Sequence, residues 1–161
     1  MTHAQIFFGI LILGLSGHLV ATQLYGGAPS STNYNVFLGL YVLVAALVGL
    51  ASGFVSALRG LVTLVTDSLA VLFTFAGGVA YAVQLGTGGC GCDAKFQACE
   101  RLTRNTVING GIRDGKVGQD VNRVGRCREA QADTAFIFLA FVCFAASAAL
   151  SFLAWRRGGV K

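Results

Sequence analysis

Residues 36–85 read VFLGLYVLVAALVGLASGFVSALRGLVTLVTDSLAVLFTFAGGVAYAVQL, a 50-residue apolar run interrupted by two charges only, Arg59 and Asp67. As one helix this run would be roughly 75 Å long, against a bilayer core of about 30 Å. The chain must therefore fold back. The place for it is LRGL at 58–61, where Arg59 offers a charge to the interface and Gly60 a residue that can turn. This predicts a tight helical hairpin of two spans, residues 35–58 and 61–85.

Working outward, residues 6–24, IFFGILILGLSGHLVATQL, carry no charge and would make about 28 Å of helix, enough to cross. A cleaved signal peptide would have a Lys or Arg ahead of its apolar core, and neither precedes this one, so the segment is expected to be retained. The link 25–35, YGGAPSSTNYN, holds the chain's one proline and reads as a turn between Tyr25 and Tyr34 at the membrane–water boundary. A fourth apolar segment, residues 133–155, ends at Trp155 and is followed by Arg156 and Arg157. Hydrophobic residues make up 55% and charged residues 12% of the 161, about half the usual charged share, which excludes an ordinary soluble domain. The expected fold is all-α, a single four-span membrane bundle over residues 1–161 with both termini on one side.

Helix packing in lipid relies on small residues that let backbones approach. Ala45, Gly49, Gly53 and Ala57 form one such stripe in the second span, and Thr66, Ala70, Thr74, Gly78 and Ala82 form another in the third. Gly9, Gly14 and Gly17 in the first span are less regular. The stripes serve packing within the bundle or self-association. Asp67, roughly two turns into the third span, is expected to turn inward onto Thr63, Thr66 or a neighbouring helix rather than to relay protons, since no second charge lies at matching depth. Asp133 is read as favouring the N-terminus of the fourth helix, and His18 as a packed or hydrogen-bonded side chain. Phe136, Phe138, Phe141 and Phe144 are expected to face lipid.

Eight of the twelve basic and five of the seven acidic residues lie between 86 and 131. This loop also holds Cys90, Cys92, Cys99 and Cys127, whereas Cys143 sits in the fourth span as a small apolar residue. A bridge between Cys90 and Cys92 would be badly strained, which leaves Cys90 and Cys92 joined in either order to Cys99 and Cys127. A zinc site would favour C-x(2–4)-C pairs and a redox pair C-x-x-C; the C-x-C spacing suits neither well. The turns NGG (109–111) and RDGK (113–116) suggest a small hairpin between the cysteines. Disulfides place the loop outside, yet its basic residues, counted by the positive-inside rule, place it in the cytoplasm.

Two stretches bear on that conflict. TDSLAVLFTFAGGVAYAV (66–83) and GRCREAQADTAFIFLAF (125–141) resemble the third and fourth helices of the fungal non-classical export protein family, four-helix MARVEL-domain proteins of the plasma membrane. The R-C-R-x-A-Q-A run of that family is matched by Arg126, Cys127, Arg128, Ala130, Gln131 and Ala132, its early acidic residue by Asp67, and its F-T-F run by Phe73, Thr74 and Phe75. The resemblance is close over about a third of the chain. It implies cytoplasmic termini and an external loop between the third and fourth spans with a cysteine on each side. It also implies a role in sterol- and sphingolipid-rich furrows associated with eisosomes, in sphingolipid-dependent signalling or in unconventional secretion. The chain differs in carrying Cys92 and Cys99 and in ending at WRRGGVK without a longer basic tail.

The expected function is thus a non-enzymatic membrane organiser without a cofactor, with membrane lipids (sterol, sphingolipid) and further copies or membrane-domain proteins as partners, and no nucleic acid. A membrane thiol–disulfide oxidoreductase is the enzymatic alternative and a small transporter or channel subunit the third; the former needs an exchangeable cysteine pair, the latter a polar path. Tetraspanins also place their large loop between the third and fourth spans, but theirs carries C-C-G where this chain reads C-G-C.

Overall fold

The computed structural model describes residues 2–55, 60–86, 88–91, 96–111 and 122–156, the side chains of 96–99 excepted. Its described elements are five helices: α1 (Thr2–Ala21), α2 (Ser30–Ala51), α3 (Leu61–Leu85), α4 (Phe96–Arg104) and α5 (Arg123–Arg156). Four of them, α1, α2, α3 and α5, are long and apolar enough to cross a membrane. In the bundle α1 packs on α2, α2 on α3, α3 on α5 and α5 on α1, which closes a ring of neighbours.

The boundaries of α3 fall where the apolar run predicts them. Gly60 precedes it with φ at 89°, a left-handed conformation that favours glycine, so this residue does turn the chain; Arg59 and Ala57 lie outside the described residues. The link at 25–35 is shorter than expected, because α2 already begins at Ser30 behind Pro29, whose φ of −55° suits a helix entry. At its other end α2 stops at Ala51, and Gly53 stands in the following turn.

The largest correction concerns α5. It starts ten residues before the apolar segment, and at 34 residues is roughly 51 Å long, so one end stands well beyond a bilayer core of about 30 Å. Arg, Glu, Gln and Ala are good helix formers whether or not lipid surrounds them, and Asn122 caps the start by accepting the Gly125 N–H at 2.9 Å. Asp133 therefore lies in the third turn and not at a helix terminus; it is fully buried. The loop also contains α4, which the sequence reading did not foresee, while RDGK at 113–116 lies outside the described residues.

Three buried layers fill the bundle. Ile12, Leu38, Ile137 and Ala140 form one; Val42, Ala45, Ala70 and Phe144 form the next. Phe144 is thus core and does not face lipid; Leu139, Val142 and Leu150 occupy that face of α5 instead. The third layer lies under the loop and gathers Leu19, Tyr81, Leu85, Cys90, Leu102, Val107, Ile108, Cys127 and Ala130.

The tightest backbone approach is at Gly39. A Cβ there would stand 2.7 Å from the Leu13 nitrogen and 2.9 Å from its Cα, so α1 rests directly on α2. Backbone atoms cannot rotate aside. Gly39→Ala is expected to cost about 1–3 kcal/mol, read as a lower unfolding midpoint in one detergent. Gly14→Ala, with nothing within 4 Å of its Cβ, serves as the comparison and should stay near wild type. Equal midpoints for the two variants would remove the close approach as a stabilising feature.

Candidate functional site

At the loop end of the bundle the chain builds a cap. Cys90, just beyond α3, is bonded to Cys127 in the second turn of α5, with Cα atoms 5.6 Å apart and both residues buried. Of the two pairings left open by the sequence, the structure has the one that joins Cys90 to Cys127. Cys92 lies outside the described residues, as does the side chain of Cys99. Cys143 is a free thiol on α5.

Beside the disulfide, Arg126 reaches from α5 into the cap, and only 5% of it is exposed. Its guanidinium donates to the carbonyls of Leu19 at 3.1 Å, Val107 at 3.2 Å and Ile108 at 3.2 Å. It also donates to Thr22 Oγ1 and, at 3.2 Å, to Gln23 Oε1. Planar, forked and always charged, an arginine can satisfy several carbonyl acceptors at once where a lysine cannot. One side chain thereby joins the end of α1 to the turn after α4. The same two segments meet through Gly110, whose carbonyl accepts the Leu24 and Tyr25 N–H groups at 3.0 and 3.2 Å. Gly111, at φ 87°, passes so close to the Tyr25 carbonyl that a Cβ would overlap it.

His18 lies on the rim, exposed, with Nδ1 3.0 Å from Glu129 Oε2. The carboxylate beside it comes from α5, which its own span could not reveal. Two clefts open near the cap. One, of about 500 Å³, is lined by neutral groups including Gln23, Tyr25, Ser31, Gln84 and Asn109. The other, of about 440 Å³, includes His18, Arg126 and Glu129.

Inside the bundle two carboxylates are held by serines of other helices. Asp67 on α3 accepts from Ser147 Oγ on α5 at 2.7 Å, while Thr66 Oγ1 donates to its own helix at the Val62 carbonyl. Asp133 Oδ2 accepts from Ser16 Oγ on α1 at 2.6 Å and from Asn35 Nδ2 on α2 at 3.3 Å. Asp67 thus turns inward onto a neighbouring helix; Ser147 lies fourteen residues along α5 from Asp133, so the two carboxylates are about 21 Å apart in depth and neither has the other at its own level.

The small-residue positions divide. Gly78 meets Ile137 and Phe138 of α5 at 3.2 Å, and Ala45 is buried in the core. Ala82 is half-buried. The Gly49 Cβ position has only Thr2 Cγ2 near it, at 3.9 Å, and Gly53 is exposed. The close approaches at Gly39 and Gly9 escaped the spacing rule because each glycine receives a bulky residue of the facing helix, Leu13 and Leu43 respectively, rather than another small one.

A ring of four apolar helices, polar groups turned inward and a cross-linked cap over one end define a membrane-embedded bundle. Residues 2–150 match the MARVEL membrane-associating domain, and the chain belongs to that family. No curated protein and no solved structure matches it.

Proposed function

We propose that this MARVEL protein is a non-enzymatic organiser of the plasma membrane, with its capped loop outside and both termini in the cytoplasm. It would act in sterol- and sphingolipid-rich domains of the eisosome-furrow kind, in lipid-linked signalling or unconventional secretion. The observation that carries this reading is the division of the surface. Phe7, Ile10, Phe37, Leu40, Leu47, Leu72, Phe75, Val83, Leu139 and Val142 are exposed around the bundle, whereas Ser16, Asn35, Asp67, Thr74 and Asp133 are buried within it. What the spans offer their surroundings is apolar area suited to lipid and to other apolar helices. The bridged cysteines are buried and so are poorly placed for exchange with an external thiol, which favours a staple over a redox centre. The disulfide likewise favours an external loop, as does the resemblance over Arg126–Ala132.

Gly49 and Gly53 support self-association: Gly49 has only Thr2 near its Cβ position, and Gly53 is exposed in the turn after α2. Fluorescently tagged protein is expected to form patches in the plasma membrane that disperse when sterol or sphingolipid synthesis is blocked. Gly49→Leu with Gly53→Leu is expected to disperse them without lowering abundance. A uniform distribution that ignores lipid depletion would overturn the organising role; unchanged patches in the double variant would remove the stripe as the interface.

A further inference from the structure

Five oxygen-bearing side chains meet below the cap, and the contacts described so far leave most of them short of partners. Ser16, Thr32, Asn35, Tyr81 and Asp133 come from α1, α2, α3 and α5, and none is more than 1% exposed. Asp133 Oδ2 takes the hydrogen bonds from Ser16 and Asn35. Asp133 Oδ1 and Asn35 Oδ1 have no hydrogen-bond partner, and Thr32 Oγ1 and the Tyr81 hydroxyl have none but each other. Thr32 and Asn35 are one helical turn apart on α2, and the Tyr81 hydroxyl lies next to Thr32 and within reach of the Asp133 charge.

The charge is as informative as the oxygens. An ionised carboxylate buried in a span is costly unless something neutralises it. Among the described residues, the nearest bases on α5 are Arg128, five residues away but exposed, and Arg126, two turns away, whose guanidinium is spent on five acceptors at the end of α1 and in the loop. A bridging water would satisfy the oxygens but leave the charge. A divalent ion would satisfy the oxygens and leave an excess positive charge in low dielectric. A proton on Asp133 answers both requirements where it is held; at mildly alkaline pH, where it is released, one hard monovalent cation does so, since a carboxylate, an amide oxygen and hydroxyls are the donors such ions take.

We propose that Asp133, Asn35, Thr32, Tyr81 and Ser16 form a binding site for one small monovalent cation, sodium by abundance outside the cell, that locks the four spans together at the capped end. The site is distinct from the lipid-facing surface and does not depend on the organising role, although the choice of sodium rests on the proposed external orientation of the capped end.

The test is thermal unfolding of the full chain in nanodiscs at mildly alkaline pH, with sodium chloride exchanged for choline chloride at constant total chloride. The expected result is a midpoint that rises with sodium and saturates as a single site does. Asp133→Asn should abolish the dependence. Because that variant can fail to fold, Tyr81→Phe provides a second reading: it keeps the ring, and should raise the half-saturating sodium concentration about threefold or more. Equal midpoints in sodium and choline for the wild-type chain would overturn the proposal and leave water or a proton at Asp133. A sodium effect unchanged in both variants would also overturn it, since the ion would then act elsewhere.

Discussion

Arg126→Ala is expected to destabilise the protein by about 3–4 kcal/mol, the largest effect of any single side chain in the cap. The substitution removes a charged donor set that serves Leu19, Val107, Ile108, Thr22 and Gln23 together. Three of those acceptors are backbone carbonyls, and the cap around them is largely closed to water, so losing the donor leaves them unsatisfied as well as unlinked. Arg126→Lys should recover only part of the loss, because an ammonium on a flexible stem cannot span acceptors on two segments. Denaturant unfolding in a fixed detergent gives the magnitude, and protease sensitivity near residues 104–111 gives the location. If Arg126→Ala unfolds within about 0.5 kcal/mol of wild type, the guanidinium is not the tie between α1 and the loop.

The second large effect is expected on breaking the disulfide. Cys90 and Cys127 are 37 residues apart in sequence, and closing a loop of that size contributes about 3–4 kcal/mol in the chain-entropy picture. Cys90→Ala with Cys127→Ala should lower stability by that order while leaving α1, α2 and α3 inserted. The same pair reports orientation. In a chain whose Cys92, Cys99 and Cys143 are replaced by serine, a membrane-impermeant maleimide applied to intact cells should label only after reduction. Labelling that requires permeabilisation and no reductant would place the loop in the cytoplasm. The count of basic residues in 86–131 would then have been the better guide.

Arg126 and Asp133 also show where sequence reading stops. The four spans were legible because an apolar run must find lipid, and 61–85 could be bounded to the residue by a glycine before it and polar loop after it. Hydropathy reports the stretch in lipid, however, and not the helix that continues past it. Hence α5 was cut short by ten residues, and Arg126 and Cys127 were taken for loop. Asp133 was judged by its neighbours in the chain, whereas its partner Ser16 is 117 residues away. Gly39 carries no second small residue at spacing four, so nothing in the pattern distinguished it from the glycines that touch nothing. The cysteine loop was legible as a staple, and its pairing became so only when the fold set Cys90 against Cys127.

The two buried carboxylates have a consequence for how the protein is made. Asp67 belongs to α3 and meets Ser147 of α5, the latest of the four described spans to be synthesised, and Asp133 of α5 meets Ser16 and Asn35 of α1 and α2. A nascent chain that has inserted three spans carries an unsatisfied acid in α3 until the fourth arrives, and the fourth carries one that only the first pair can accept. Each half of the molecule is thus incomplete in lipid without the other. A chain that lacked α5 or paired it wrongly would hold a carboxylate without its partner in the bilayer interior, at a cost of a few kcal/mol.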